Sequence, residues 1–328
     1  MRVFERFFSD KSSNSLAHSC DIDDLGFIRP WSQYEKSETR QNYEDWYASY
    51  LPIVVRRRSR WEKENPRSNI HLLQRFVRKG IPHIYRKDLW LRNCPARPNE
   101  KFEVPDDVVK AIRLDLPRTF PDNRFLKNEK TQKVLGRALF ALAEHIPSIG
   151  YCQGLNFVAG IILLVINDEQ KSIDLFIHLI SQRKDYYGHN MIGLRRDLYV
   201  LHILMREFCP RIIVVLEKSD IGLELLIGKW FLCMFVESLP LETVLRIWDC
   251  LIYEGDVWLF KVSIILFRSV ANQISEAKSI DQILTIIQSI GTSKCSLYCH
   301  QLIIKCANLS ITGNRIEELR AEAEKIIV

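Results

Sequence analysis

The chain has no device for holding a nucleotide by itself. Its 328 residues contain no Walker-type phosphate loop, no Gly-x-Gly-x-x-Gly fingerprint, no Gly-x-Ser-x-Gly elbow and no His-Glu-x-x-His pair. If it acts on a nucleotide, that nucleotide arrives with a partner. Paired cysteines are also missing. The nine cysteines are odd in number and scattered, and residues 1–10 carry Arg, Glu and Asp rather than a secretory leader. They read as reduced thiols of a cytosolic protein. Cys295, Cys299 and His300 lie close together, but a structural zinc needs four ligands and no second pair stands nearby. Cys295 and Cys299 read as core thiols on one helical face. Long apolar runs are absent too. The longest, 157–166, is far short of the roughly 20 residues of a membrane span and reads as a buried helix. Neither end carries a lipidation motif. Charge of one sign is scarce: the net is +6, without basic residues interleaved with an aromatic platform, so nucleic acid is not an expected partner. The densest basic run is Arg56-Arg57-Arg58-Ser59-Arg60, followed by Trp61. It reads as a solvated helix face, or as a contact for acidic lipid or an acidic partner.

What is present is helical. Hydrophobic residues make up 47% and charged residues 26%, ordinary for a globular chain long enough for one large domain or two smaller ones. Residues 1 to 30 look loose, with a polar stretch at 10–15 and a turn-rich lead-in around Asp23-Asp24-Leu25-Gly26-Phe27. A helical period then runs over 34–64, where Tyr43, Trp46, Tyr47 and Tyr50 share a face and Pro52 is placed to split or kink the helix. Segment 133–145 puts Val134, Leu135, Ala138, Leu139, Leu142 and Ala143 on one stripe. Helices are expected over 155–166 and 198–208, from Pro240 to Glu254, and over 257–275, 280–290 and 316–328. Segment 211–216 is β-branched and ambiguous. No sustained period-two alternation and no repeat of 33 to 47 residues is present, so sheets and solenoids are not expected.

Three short constellations carry chemistry. Arg86 and Trp90 stand four apart on one helical face, after the turn Lys79-Gly80-Ile81-Pro82. Next comes Ile112-Arg113-Leu114-Asp115-Leu116-Pro117-Arg118-Thr119-Phe120-Pro121. Two prolines bracket Arg118 and take it off the helix ladder onto a stiff loop, a placement that suits a projecting cation. Spacing alone also allows an Arg that only holds the loop through Asp115. The third is Gly150-Tyr151-Cys152-Gln153-Gly154-Leu155-Asn156, where Gln153 sits between glycines ahead of an apolar helix. Glycine lets backbone approach a ligand closely, and Gln offers both a donor and an acceptor. The same pattern allows a Gln that merely caps or braces the helix start.

In this order the three resemble the TBC-domain family of Rab GTPase-activating proteins. The family pattern is Arg-x-x-x-Trp, then Ile-x-x-Asp-x-x-Arg, then Tyr-x-Gln. Leu245-Arg246-Ile247-Trp248-Asp249, Glu254-Gly255, Leu259-Phe260 and Lys229-Trp230-Phe231 extend the resemblance, which runs from about 79 to 267 and on toward the C-terminus. Lys229 departs from it, standing where many relatives carry a small or apolar residue. Asp24-Leu25-Gly26-Phe27 before Arg29-Pro30 narrows the resemblance to the growth-hormone-regulated branch of the family.

The resemblance implies an all-α fold: two helical subdomains forming a V, with 79–328 as the TBC domain and 1–78 as a partly disordered, then helical extension. It implies a GTPase activator that supplies catalytic residues in trans and brings no cofactor of its own. The partner is a GTP-bound Rab-family GTPase with its own magnesium and nucleotide. Arg118 is the implied arginine finger and Gln153 the glutamine finger. Asp115 orients Arg118, Tyr151 positions the Gln153 loop, and Arg86, Trp90 and Ile112 support the fold around them. A cytoplasmic location with recruitment to membranes through the GTPase follows. The competing readings are a non-catalytic Rab-binding effector or scaffold, and a helical scaffold with no GTPase partner.

Overall fold

The computed structural model describes residues 22–31, 34, 35, 37–97 and 99–327. The polar stretch 10–15, with the rest of 1–21, lies outside them. Among the described residues every regular element is a helix, and the only β feature is an isolated bridge between Ile22 and Ile28. The described residues fall into two compact units: 22–37 with 86–182, and 38–85 with 183–327.

The first unit is built on helix Leu155–Ile166. This helix is apolar around its whole circumference, and all of it but Phe157 is buried. A helix apolar on every side has to be covered on every side. Helices Glu129–His145 and Glu169–Ser181 pack on it and on each other. Both begin on a side-chain cap: Asn128 accepts the Lys130 N–H at 2.9 Å and Asp168 that of Lys171 at 3.2 Å. The stripe expected over 133–145 is buried throughout.

The lead-in that reads as loose in the sequence closes into a turn where it is described. Asp23 Oδ1 accepts the N–H groups of Leu25 and Phe27, both at 2.9 Å. Asn123 Nδ2 donates to the Leu25 carbonyl at 3.0 Å, and the Arg124 N–H donates to that of Gly26 at 2.8 Å. The lead-in is thereby stitched to the loop that follows Arg118.

In the second unit, helix Ser37–Glu64 runs unbroken through Pro52. The expected split does not occur. A proline removes one N–H from the ladder, and here the helix continues past that single lost bond. Tyr43, Trp46, Tyr50, Arg57 and Trp61 are buried along one face. Segment 211–216 lies inside helix Pro210–Lys218. Segment 257–275 is two helices rather than one, Val257–Ser269 and Ala271–Glu276, parted at Val270.

Helix Leu241–Glu254 is the centre of this unit. Arg246 and Asp249 lie 3.4 Å apart, both with 0% of the side chain exposed. Arg246 donates to the carbonyls of Val77 at 3.1 Å and Arg78 at 2.7 Å, and Asp249 Oδ2 accepts the Ile81 N–H at 3.3 Å. Val77 and Arg78 belong to the last turn of helix Ile70–Lys79, where carbonyls have no partner within the helix. Trp248 Nε1 donates to the Met234 carbonyl at 2.9 Å. The Leu-Arg-x-Trp-Asp segment is therefore a fastening for other helices. The C-terminal helix Gly313–Ile327 is anchored by Arg320, which donates to Asp197 Oδ1 at 2.9 Å and pairs with Asp256 at 3.2 Å. No described helix is long and apolar enough to cross a membrane.

Candidate functional site

Helix Asp106–Asp115 ends in a single tight turn, Leu116–Arg118. Pro117 cannot continue the helical ladder, so the chain leaves the helix there. Ile112 is fully buried beneath the turn, and its carbonyl accepts the Leu116 N–H. Arg118 closes the turn with its side chain 70% exposed, and its nearest carboxylate oxygen, on Asp115, is 3.9 Å away. That distance lies outside a hydrogen bond.

Asp115 is engaged elsewhere. Its Oδ2 accepts the Tyr151 hydroxyl at 2.7 Å. The same hydroxyl is 3.2 Å from Asn156 Oδ1, which also accepts the Gly154 N–H at 3.1 Å. Asn156 Nδ2 donates to Thr119 Oγ1 at 2.8 Å, and that hydroxyl donates to the Asp115 carbonyl at 2.8 Å. Asp115, Thr119 and Asn156 are all buried. Each buried polar group of the relay has a partner within it. It ends one residue from Arg118 at Thr119 and one residue from Gln153 at Gly154.

Gln153 is exposed in the turn ahead of helix Leu155–Ile166, and its side chain has no hydrogen-bond partner among the described residues. The cap position belongs to Gly154, whose φ of 102° is a conformation that side chains resist. Gln153 therefore does not brace the helix start. Nor is Arg118 what holds its own loop, since the relay does that. Cys152, next to Gln153, is no ready nucleophile, because burial pushes its thiol above the ordinary value. Among the described residues no group of His, Cys, Asp or Glu is arranged to hold a metal ion. What the two loops present is a planar cation and a neutral amide. Such groups bind an anion or orient a water, and neither abstracts a proton at neutral pH.

Arg86 and Trp90 are buried on helix His83–Trp90. The relay residues Thr119 and Asn156 carry no role in the sequence motifs. A signal for Asn156 exists, since it is a polar side chain inside an otherwise apolar helix. Thr119 offers none, because a Thr after a turn is ordinary.

Residues 91–275 match the family model of the Rab-GTPase-TBC domain. The chain is 68% identical over 316 residues to growth hormone-regulated TBC protein 6 of Caenorhabditis elegans, covering 95% of this chain and 96% of that protein. It is 35% identical over 306 residues to growth hormone-regulated TBC protein 1 of Homo sapiens, covering 87% and 88%. Among solved structures, it resembles the Chlamydomonas flagellar RabGAP TBC domain with a TM-score of 0.64 at 25% identity, covering 87% of this chain and 98% of that one.

Proposed function

The chain belongs to the Rab-GTPase-TBC domain family, and from that premise we propose that it accelerates GTP hydrolysis by a GTP-bound Rab-family GTPase, with Arg118 and Gln153 as the two fingers. The observation that carries this reading is the relay. It ties down Thr119 and Gly154, the residues beside Arg118 and Gln153, and leaves those two exposed side chains outside its hydrogen bonds.

In the transition state of phosphoryl transfer, charge spreads over the transferring group while a water attacks in line. Arg118 places its guanidinium between the leaving and transferring oxygens, where the planar fork suits phosphate. Gln153 orients the attacking water in place of the GTPase's own Gln. An arginine finger is worth about 10³ to 10⁵ in rate, or roughly 4 to 7 kcal/mol. A solvated cation cannot deliver that, so binding must take Arg118 out of water. Asp115 limits the swing of the guanidinium by charge, and Tyr151 holds Asp115 in place. The GTPase brings the magnesium and the nucleotide. The activating domain spans 79–328, with 1–78 as an extension before it, and the protein reaches membranes through its GTPase.

The test is single-turnover GTP hydrolysis across a panel of purified Rab proteins, with wild type beside Arg118→Ala. Stimulation of one or a few Rabs, lost in the variant, supports the reading and names the substrate. Binding to a GTP-loaded Rab without stimulation would replace it with the effector reading.

A further inference from the structure

Phe120, two residues beyond Arg118, has a φ of 46°. A bulky side chain resists that left-handed conformation, and such strain persists only where the surroundings hold it. The relay ends next door at Thr119 and uses no atom of Phe120. Three half-buried rings supply the hold instead. Phe120 meets Phe157 edge to face with ring centres 5.1 Å apart, and Phe27 meets Phe120 in the same way at 5.2 Å. Edge-to-face pairs fix the orientation of a ring as well as its contact. Gly160 leaves room for the Phe120 ring, since a Cβ there would come within 3.3 Å of Phe120 Cε2.

Phe157 lies on the first turn of helix Leu155–Ile166, where its N–H donates to the Gly154 carbonyl at 3.1 Å. The loops of Arg118 and Gln153 are therefore joined twice. The buried relay runs from Thr119 to Gly154, and the ring pair runs from Phe120 to Phe157.

Phe27 comes from the lead-in, and both of its backbone polar groups are fixed by Asp23. Its N–H donates to Asp23 Oδ1 at 2.9 Å, and its carbonyl accepts the Asp23 N–H at 2.8 Å. Trp31 Nε1 donates to Asp23 Oδ2 at 3.3 Å and holds the carboxylate in turn. Gly26, at φ 86°, brings the turn close to the loop, because a Cβ there would lie 2.5 Å from the Phe125 ring. Asn123, 1% exposed, closes the assembly from the other side. Its N–H donates to the Phe120 carbonyl at 2.9 Å and its Nδ2 to the Leu25 carbonyl at 3.0 Å. All of these residues belong to one compact unit.

We propose that the lead-in is a positioning element for the two fingers, in which Phe27, acting through Phe120, fixes the loop of Arg118 against the helix that follows Gln153. Its catalytic consequence rests on the GTPase-activating reading, whereas the ordering of the loop does not. A catalytic group misplaced by about 1 Å can cost about 10²-fold in rate. A Phe120 released from its ring contacts lets the turn relax and carries Arg118 with it.

The experiment uses the full chain with Phe27→Ala, with Asp23→Ala, which removes the hydrogen bonds that set Phe27, and with Phe27→Tyr, which keeps the ring. Hydrogen exchange by mass spectrometry compares segment 116–126, which holds the Thr119, Asn123 and Arg124 amides, with helix Glu169–Ser181 of the same unit. Stimulated GTP hydrolysis is measured in parallel on a panel of purified Rab proteins. Phe27→Ala and Asp23→Ala should each speed exchange in 116–126 at least about tenfold and leave the helix unchanged. The stimulated kcat should fall about tenfold to 10²-fold, with KM for the GTPase changed by less than about threefold. Phe27→Tyr should return both readings toward wild type. Unchanged exchange in 116–126 overturns the proposal whatever the activity, and so does equal acceleration in the control helix, which marks a general loss of the unit. Faster exchange with unchanged kcat overturns the positioning role. A raised KM at constant kcat overturns it as well, and makes Phe27 a contact for the GTPase. If the wild type stimulates no Rab, the activating reading fails separately, and the exchange result alone decides whether the lead-in orders the loop.

Discussion

Arg118 and Arg246 each stand three residues from an aspartate, one pair in each compact unit. In the Arg246–Asp249 pair both side chains are fully buried, and between them they satisfy the carbonyls of Val77 and Arg78 and the N–H of Ile81. In the Asp115–Arg118 pair the aspartate is buried but the arginine is out in water, and the aspartate gives its better hydrogen bond to Tyr151. The same two residue types at the same spacing do opposite work. Helix Leu241–Glu254 continues through its pair, so Arg246 stays on the inward face. Pro117 ends the helix between Asp115 and Arg118, so the cation is released from the ladder and faces outward. Burial makes the first arginine structural, and exposure leaves the second free to meet a partner.

The contrast predicts a double dissociation. Arg118→Ala should remove at least about 10³-fold of stimulated hydrolysis, roughly 4 kcal/mol in the barrier, with the melting temperature unchanged. A fall in melting temperature matching the loss of activity would return Arg118 to a structural role. Arg118→Lys should fail almost as completely, because a point charge lacks the planar fork. Arg246→Ala should do the reverse. It leaves the buried Asp249 carboxylate without its cation, so denaturant unfolding should show a loss of about 3 to 5 kcal/mol. Unchanged stability there would mean that water reaches the pair and that the contrast between the two arginines is weaker than drawn.

Asn156→Ala lies between these extremes. It removes the link from Gly154 to Thr119, so stability should fall by about 1 to 3 kcal/mol. Stimulated turnover should fall as well, with affinity for the GTPase less affected. Loss of stability alone would show that the relay holds the core but not the fingers.

The smallest effect belongs to His300, whose burial disfavours its charged form. His300 titrates below its ordinary value of 6.5, so the unfolded chain binds a proton first as pH falls. Stability should therefore decline as pH drops through about 6.5 and level off below the folded value, which unfolding midpoints across pH would record. His300→Gln should flatten that decline.

The helices were legible because their signal is local. Val134, Leu135, Ala138, Leu139, Leu142 and Ala143 declare a stripe, and an apolar run at 155–166 can only be a covered helix. Pro52 was misleading because one lost N–H does not outweigh a long helix packed along one face. The break at Val270 had no turn residue to announce it. The turn at Asp23 was legible in Asp23-Asp24-Leu25-Gly26-Phe27, but its attachment to Asn123 and Arg124, about a hundred residues away, was not.

For the site, the sequence determined which residues stand exposed outside the helices. Pro117 and Pro121 place Arg118 off the helix, and the glycines around Gln153 keep that residue out of regular structure. Motif order was enough to indicate the family. Only the tertiary structure decided what supports them, because Asn156, Thr119, Tyr151 and Asp115 meet through hydrogen bonds that span up to 37 positions. It likewise decided that the run at 56–60, read as a solvated face, turns Arg57 inward. A helix turns about 100° per residue, so neighbours in one basic run point to different surroundings, and only packing decides which of them is buried.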